Sequence, residues 1–187
     1  MTKNQKPLYY IACLVPSPLK GEIIGFMKEI ERLVGAKHAQ KSPPHITLYP
    51  PFRIDENKEV KVIQCIEEIA KSIDSFEVEL NGFSGFPPRT FYVQPIENPE
   101  LAILREKTLN EAGKVIGVDI SKLRARPLNP HITIANRDLE KEDYPVLVKH
   151  FSTISFKRKY EQNSISLLKH NGKNWDVLAT FIFEPHL

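Results

Sequence analysis

Cysteine, long apolar runs and charge of one sign are all scarce in this chain, and each scarcity removes a class of protein. Of 187 residues only Cys13 and Cys65 are cysteines, each set in apolar sequence (Ile11-Ala12-Cys13-Leu14 and Ile63-Gln64-Cys65-Ile66) with no CxxC spacing. Two buried free thiols in a reducing compartment are expected. That burial also argues against a Cys-His nucleophile, because a reactive thiolate needs partial exposure beside a positive group. The leader, Met-Thr-Lys-Asn-Gln-Lys-Pro, has no small-residue cleavage site, and the apolar run after it ends at Pro16 after about nine residues, too short for a membrane span. A cytoplasmic, soluble protein with no membrane partner is expected.

Charge is nearly balanced, 26 Lys and Arg against 23 Asp and Glu, for a net +3. The basic residues concentrate only at Lys122-Leu123-Arg124-Ala125-Arg126 and Lys157-Arg158-Lys159-Tyr160. This suits an anionic substrate, and nothing in it calls for a DNA duplex. Clustered Asp, Glu or Cys ligands are missing and Thr is a poor partner for His at zinc, so neither a metal nor another cofactor is expected. With 41% hydrophobic residues the chain can bury a sizeable core, and one domain over residues 1–187 is the reading. A monomer is the expectation.

What is present is a short phrase used twice, Pro44-His45-Ile46-Thr47-Leu48 and Pro130-His131-Ile132-Thr133-Ile134. On a strand the side-chain period is two, so each His and its Thr share one face while the Ile, Leu and Ile residues point to the other. With six His, about 0.1 chance matches to His-apolar-Ser/Thr-apolar are expected at average usage. Two matches, each led by Pro, exceed that.

The elements around the phrases fall in a repeated order. Leu8 to Val15 reads as a buried strand. Ser17-Pro18 supplies an N-cap and N1 proline for a helix whose face is Ile23, Ile24, Met27, Ile30, Leu33 and Val34, ended by Gly35. A polar loop over 36–44, with His38 on the surface, leads to the first phrase, and Tyr49-Pro50-Pro51-Phe52 closes it as a rigid turn. A second helix spans about Asn57 to Ile73, with Val60, Ile63, Ile66, Ile69, Ala70 and Ile73 inward. Phe76 to Leu80 alternates as a strand, Gly82 to Pro88 is a bend or bulge, and Thr90 to Gln94 is another strand.

In the second half, Asn98-Pro99 opens a helix that ends at Gly117, and a basic loop over 118–129 leads to the second phrase. A weaker helix follows between Asp138 and Phe151, with Pro145 in its first turns or at its start. Ser152 to Phe156 and Ser164 to Leu168 read as strands flanking a basic turn. His170-Asn171-Gly172-Lys173 reads as a hairpin turn, and Trp175 to Phe183 as the last strand. Strand, helix, loop, motif strand, helix, strand thus occurs twice, which predicts two pseudo-symmetric lobes with a cleft between them.

If the motif strands face each other, two imidazoles and two hydroxyls converge. Imidazoles with pKa near 6.5 can act as base and acid, and Thr hydroxyls can hold two oxygens of a tetrahedral anion. Phosphodiester cleavage needs these parts and, in this scheme, no metal. The paired motif, the duplicated layout and the Phe86-Pro87-Pro88-Arg89-Thr90-Phe91-Tyr92-Val93 segment resemble the two-histidine phosphoesterase superfamily, including its 2'-5' RNA ligase and RNA cyclic phosphodiesterase members. The resemblance implies an α+β, bilobal fold of mostly antiparallel, pseudo-two-fold sheets flanked by helices, with a central cleft. It implies His45 and His131 as the catalytic pair, His45 giving and His131 taking the proton, and Thr47 and Thr133 as the phosphate-binding hydroxyls. Phe52, Phe86 and Arg137 are candidate substrate contacts, although Ala135-Asn136 separate Arg137 from the motif. The expected activity is metal-independent hydrolysis of a 2',3'-cyclic phosphate on RNA or a nucleotide, with RNA ligation left open. The other function considered is a module that binds a nucleotide or RNA end in the same cleft without turnover.

Overall fold

The computed structural model describes residues 6–184, so residues 1–5 and 185–187 lie outside it. Eight strands form two four-stranded sheets in which every neighbouring pair is antiparallel. The first has the order β2 (His45–Arg53), β1 (Leu8–Leu14), β7 (Ser164–His170), β8 (Trp175–Ile182). The second has the order β5 (Ile132–Ala135), β4 (Thr90–Pro95), β3 (Phe76–Phe86), β6 (Lys157–Gln162). Each motif strand is therefore an edge strand beside the opening strand of its own half.

Helix α1 (Leu19–Val34) buries Leu19, Ile23, Met27 and Ile30, and Gly35 ends it in the left-handed conformation, φ 77°. Leu33, predicted on the buried face, is 43% exposed. Ser17 makes no capping bond, and Pro18 stands before the helix rather than in its first turn. Helix α2 (Glu59–Ala70) is shorter than its hydrophobic spacing predicts and turns Val62 inward, leaving Val60 61% exposed. Helix α3 (Pro99–Ile116) carries the predicted cap, the Asn98 side chain accepting from the Leu101 N–H at 2.8 Å. The basic loop contains one short helix, α4 (Ser121–Arg124), and α5 (Tyr144–Phe151) carries Pro145 in its first turn.

Helix α1 packs on β5 of the second sheet, while α3 packs on β2 of the first. Each half thus covers the other's motif strand, and one continuous apolar core joins both lobes. The duplicated order holds with one exchange. β3 follows α2 but pairs with β4 through the short Pro87–Arg89 connection, which places it in the second sheet. β7 fills the equivalent place in the first sheet.

Two strand predictions are corrected. Tyr49-Pro50-Pro51-Phe52 is not a turn but the second half of β2, where register shifts against β1 absorb the prolines. Proline is tolerated because β2 is an edge strand with a free side. The expected strand at 152–156 and basic turn are reversed: Lys157–Gln162 is the strand β6, with Tyr160 and Gln162 inward and the charges outward. Charged side chains on an unpaired edge discourage pairing with another chain.

Candidate active site

The site begins with the alternation of β1. Tyr9, Ile11 and Cys13 face the main core, while Tyr10, Ala12 and Leu14 face the opposite side with Leu168 and Trp175. That second face floors the cleft. On the neighbouring strand Ile46 and Leu48 are buried at 1% exposure, which turns His45 and Thr47 into the cleft. The His45 Nδ1–H donates to the Pro43 carbonyl at 2.7 Å. A carbonyl can only accept, so Nδ1 carries the proton and Nε2 presents a lone pair. Tyr10 lies beside the ring at 4.8 Å between centroids, and its hydroxyl is 2.5 Å from Ser42 Oγ. Burial pulls the His45 pKa down to about 4, and the nearby His131 acts in the same direction, against the Pro43 carbonyl.

The second half repeats the arrangement. The His131 Nδ1–H donates to the Asn129 carbonyl at 2.7 Å, again two residues upstream. Ile132 and Ile134 are buried, and Thr133 pairs with Tyr92 across β4 and β5. The His131 ring is met edge-on by Phe86 at 5.2 Å and lies 5.4 Å from Tyr92.

His45, Thr47, His131 and Thr133 all line one cavity of about 230 Å³. The other candidates divide. Arg137 lines the cavity, in the left-handed conformation with φ 52°. Phe86 is 38% exposed beside His131. Phe52, expected as a substrate contact, is instead 7% exposed in the core, 5.8 Å from Tyr9 and 5.3 Å from Tyr49. Its even parity with Ile46 and Leu48 puts it on the buried face of β2.

Several lining residues escaped the sequence reading. His38, expected on the surface, stands on the cavity wall in a 3-10 turn (His38–Lys41), with Lys41 and Ser42 beside it. Burial and the charges of Arg137 and Lys41 lower its pKa. Asp138 clasps this turn from the other lobe: its Oδ2 accepts the N–H groups of Lys37 at 2.9 Å and His38 at 2.8 Å. Trp175 and Asn136 complete the wall, and Asn136 Oδ1 is buried with no hydrogen-bond partner. A period-two signal in Tyr10-Ala12-Leu14 was available; the approach of Asp138, 100 residues from His38, had no local signal. Among the described residues no group of three or more His, Cys, Asp or Glu is arranged to hold a metal.

A sequence profile of the 2'-5' RNA ligase superfamily matches residues 16–174, and the chain belongs to that family, in the class of two-histidine phosphoesterase hydrolases. Among its relatives is a protein of Oceanobacillus iheyensis described as a phosphoesterase, 31% identical over 145 residues, covering 75% of this chain and 79% of the relative. The RNA 2',3'-cyclic phosphodiesterase of Bacillus subtilis is 29% identical over 147 residues, 76% of this chain and 78% of that one. The fold matches that of Escherichia coli LigT solved with 3'-AMP, at TM-score 0.66 and 16% identity over 97% of this chain and 100% of LigT. A Thermus thermophilus protein matches at TM-score 0.68 and 18% identity, over 94% of this chain and 97% of that one.

Proposed function

We propose that the protein hydrolyses a 2',3'-cyclic phosphate on an RNA end or nucleotide, using His45 and His131 for the two proton transfers and the Thr47 and Thr133 hydroxyls to hold the phosphate oxygens. The observation that carries this reading is the matched tether: each ring gives its Nδ1–H to the carbonyl two residues upstream, at 2.7 Å, and leaves Nε2 free in one shared cavity. Water attacks phosphorus and loses its proton to one Nε2; the other imidazole, protonated, gives its proton to the departing ribose oxygen. Charge growing on the non-bridging oxygens is met by the two hydroxyls. The two rings carry both proton transfers, so this scheme assigns no step to a metal. The B. subtilis relative bears the name of this activity.

The roles follow from when the phosphate binds. Burial holds His45 neutral in the empty cleft, so it serves as the donor only after a bound phosphate anion raises its pKa. His131 then takes the proton from water. The test is turnover of a 2',3'-cyclic nucleotide by purified protein in the presence of a chelator. His45→Ala and His131→Ala should each abolish it, and full activity in either variant would overturn the mechanism. Tight nucleotide binding without turnover, over a panel of cyclic and linear phosphodiesters, would instead favour a binding module.

A further inference from the structure

The two motif histidines share a tether and differ in what surrounds it. Among the described residues Nδ1 of His131 has the Asn129 carbonyl alone. Nδ1 of His45 has the Pro43 carbonyl at 2.7 Å and, in addition, two hydroxyl oxygens at 3.4 Å, those of Tyr10 and Ser42. These two are bonded to each other at 2.5 Å. The proton on Nδ1 decides how that pair is oriented. It points at the Pro43 carbonyl, so an oxygen beside it is best placed with a lone pair inward. The Tyr10 phenol, the stronger donor, therefore gives its proton to Ser42 Oγ, and both oxygens turn lone pairs toward Nδ1. At 3.4 Å they are long for hydrogen bonds, and they act through their dipoles on the charge of the ring.

Both hydroxyls are fixed from elsewhere in the fold. Tyr10 is 3% exposed on the cleft face of β1, its ring 4.8 Å from that of His45 and 4.5 Å from that of Trp175. Burial pushes its pKa up, so it stays a neutral phenol. Ser42 ends the 3-10 turn, its N–H donating to the Ala39 carbonyl at 3.3 Å, and Pro43-Pro44 carry the chain from it into β2. The other titratable groups on the cavity wall are His131 and Arg137 from the second lobe and His38 and Lys41 from the turn. Each is neutral or cationic, so none of them favours a positive His45. The Pro43 carbonyl and the two hydroxyls are the groups that do.

We propose that Tyr10 and Ser42 are positioning residues that assign the acid role to His45: their paired hydroxyls favour the imidazolium there once phosphate is bound, and His131, without such a pair, is left as the base. The inference rests on the phosphodiesterase reading, because it concerns which ring protonates the departing ribose oxygen. As the bond from phosphorus to that oxygen breaks, the Nε2 proton of His45 passes to the oxygen, and the Nδ1 proton stays on Pro43. Over one turnover His131 gains the proton that His45 loses, and solvent restores both rings.

The test is the pH dependence of kcat on a 2',3'-cyclic nucleotide for Tyr10→Phe combined with Ser42→Ala, two changes that keep the ring packing and open little space. The alkaline limb of the profile reports loss of the proton from the acid. In the double variant it should move to lower pH by about one pH unit, a tenfold loss of proton affinity, while the acid-side limb stays in place. Ser42→Thr, which keeps a hydroxyl, should leave both limbs where they are. A lower kcat at every pH with neither limb moved would mean a merely structural role, and a shift of the acid-side limb would make His45 the base; either overturns the proposal. A second readout is independent of turnover. With saturating nucleoside 3'-monophosphate, the His45 Cε1–H resonance should titrate at correspondingly lower pH in the double variant, and that of His131 should not change. Such a displacement in a protein without turnover would strike the phosphodiesterase reading and leave the action of Tyr10 and Ser42 on His45 standing. Turnover with an unmoved His45 titration would strike this proposal alone.

Discussion

The two motif strands are equivalent in topology and unequal in surroundings. Both are edge strands beside an opening strand, and both histidines use the carbonyl two residues upstream. Yet β2 runs for nine residues and begins after a 3-10 turn that the opposite lobe clasps, while β5 has four residues and follows a long basic loop. His45 is enclosed by Tyr10, Ser42 and Pro43, and His131 stands against Phe86 at the lip of the cleft. Duplication supplied the tether twice, and packing then gave the two rings different electrostatic settings.

The largest expected effects break the pair itself. His45→Ala and His131→Ala should each lower kcat by about 10²–10⁴-fold, the usual worth of a positioned acid or base. If the two rings act as one unit, the double variant should lose little more than the worse single one. Steady-state rates on a cyclic nucleotide decide this, and fully additive losses would mean the lobes act independently.

Next comes the contrast between two phenylalanines. Phe52→Ala should cost about 3 kcal/mol of stability in urea unfolding, because it opens a cavity in the core. Phe86→Ala should leave stability nearly unchanged and raise KM. A Phe52 variant with native stability would contradict its place in the core.

Thr47→Val and Thr133→Val should each reduce kcat by about 10²-fold, as loss of one oxyanion donor does. Unequal losses would show which lobe carries more of the developing charge. The pH dependence sharpens the comparison further. His45 has its folded pKa near 4, below the unfolded value near 6.5, so the unfolded chain binds the extra proton between those values. The His45 contribution to stability should therefore be constant above about pH 6.5 and fall by roughly 2–3 kcal/mol as the pH drops towards 4. His45→Gln should remove that slope in denaturant titrations taken at several pH values.

The smallest effect tests the clasp. Asp138→Ala should cost about 1–2 kcal/mol and expose the Lys37 and His38 amides to hydrogen exchange. Unchanged protection of both amides would mean the 3-10 turn holds itself.

What was legible in the sequence followed local rules. The His-x-Thr period, the Asn98 cap and the Gly35 and Gly117 helix ends depend on residues a few positions apart, and the structure has each of them. What escaped depended on register or distance. Phe52 shares the even parity of Ile46 and Leu48, and reading 49–52 as a turn hid that it faces inward. β3 exchanges sheets because a short connection joins it to β4, a choice that a linear reading of the halves does not contain. His38, Asn136 and Trp175 join the site only once the lobes close on each other.

The tethers of the two rings carry one more consequence. Histidines in catalytic sites are often oriented by a carboxylate, which brings a full negative charge beside the ring. Here both are aimed by peptide dipoles from their own chain, and Asp138, behind the 3-10 turn, spends its Oδ2 on two amide protons. The orientation is thus achieved without placing a bare anion against the rings. A phosphate bound as proposed would meet oriented imidazoles, hydroxyls and cations, and nothing of its own sign is needed to hold them in place.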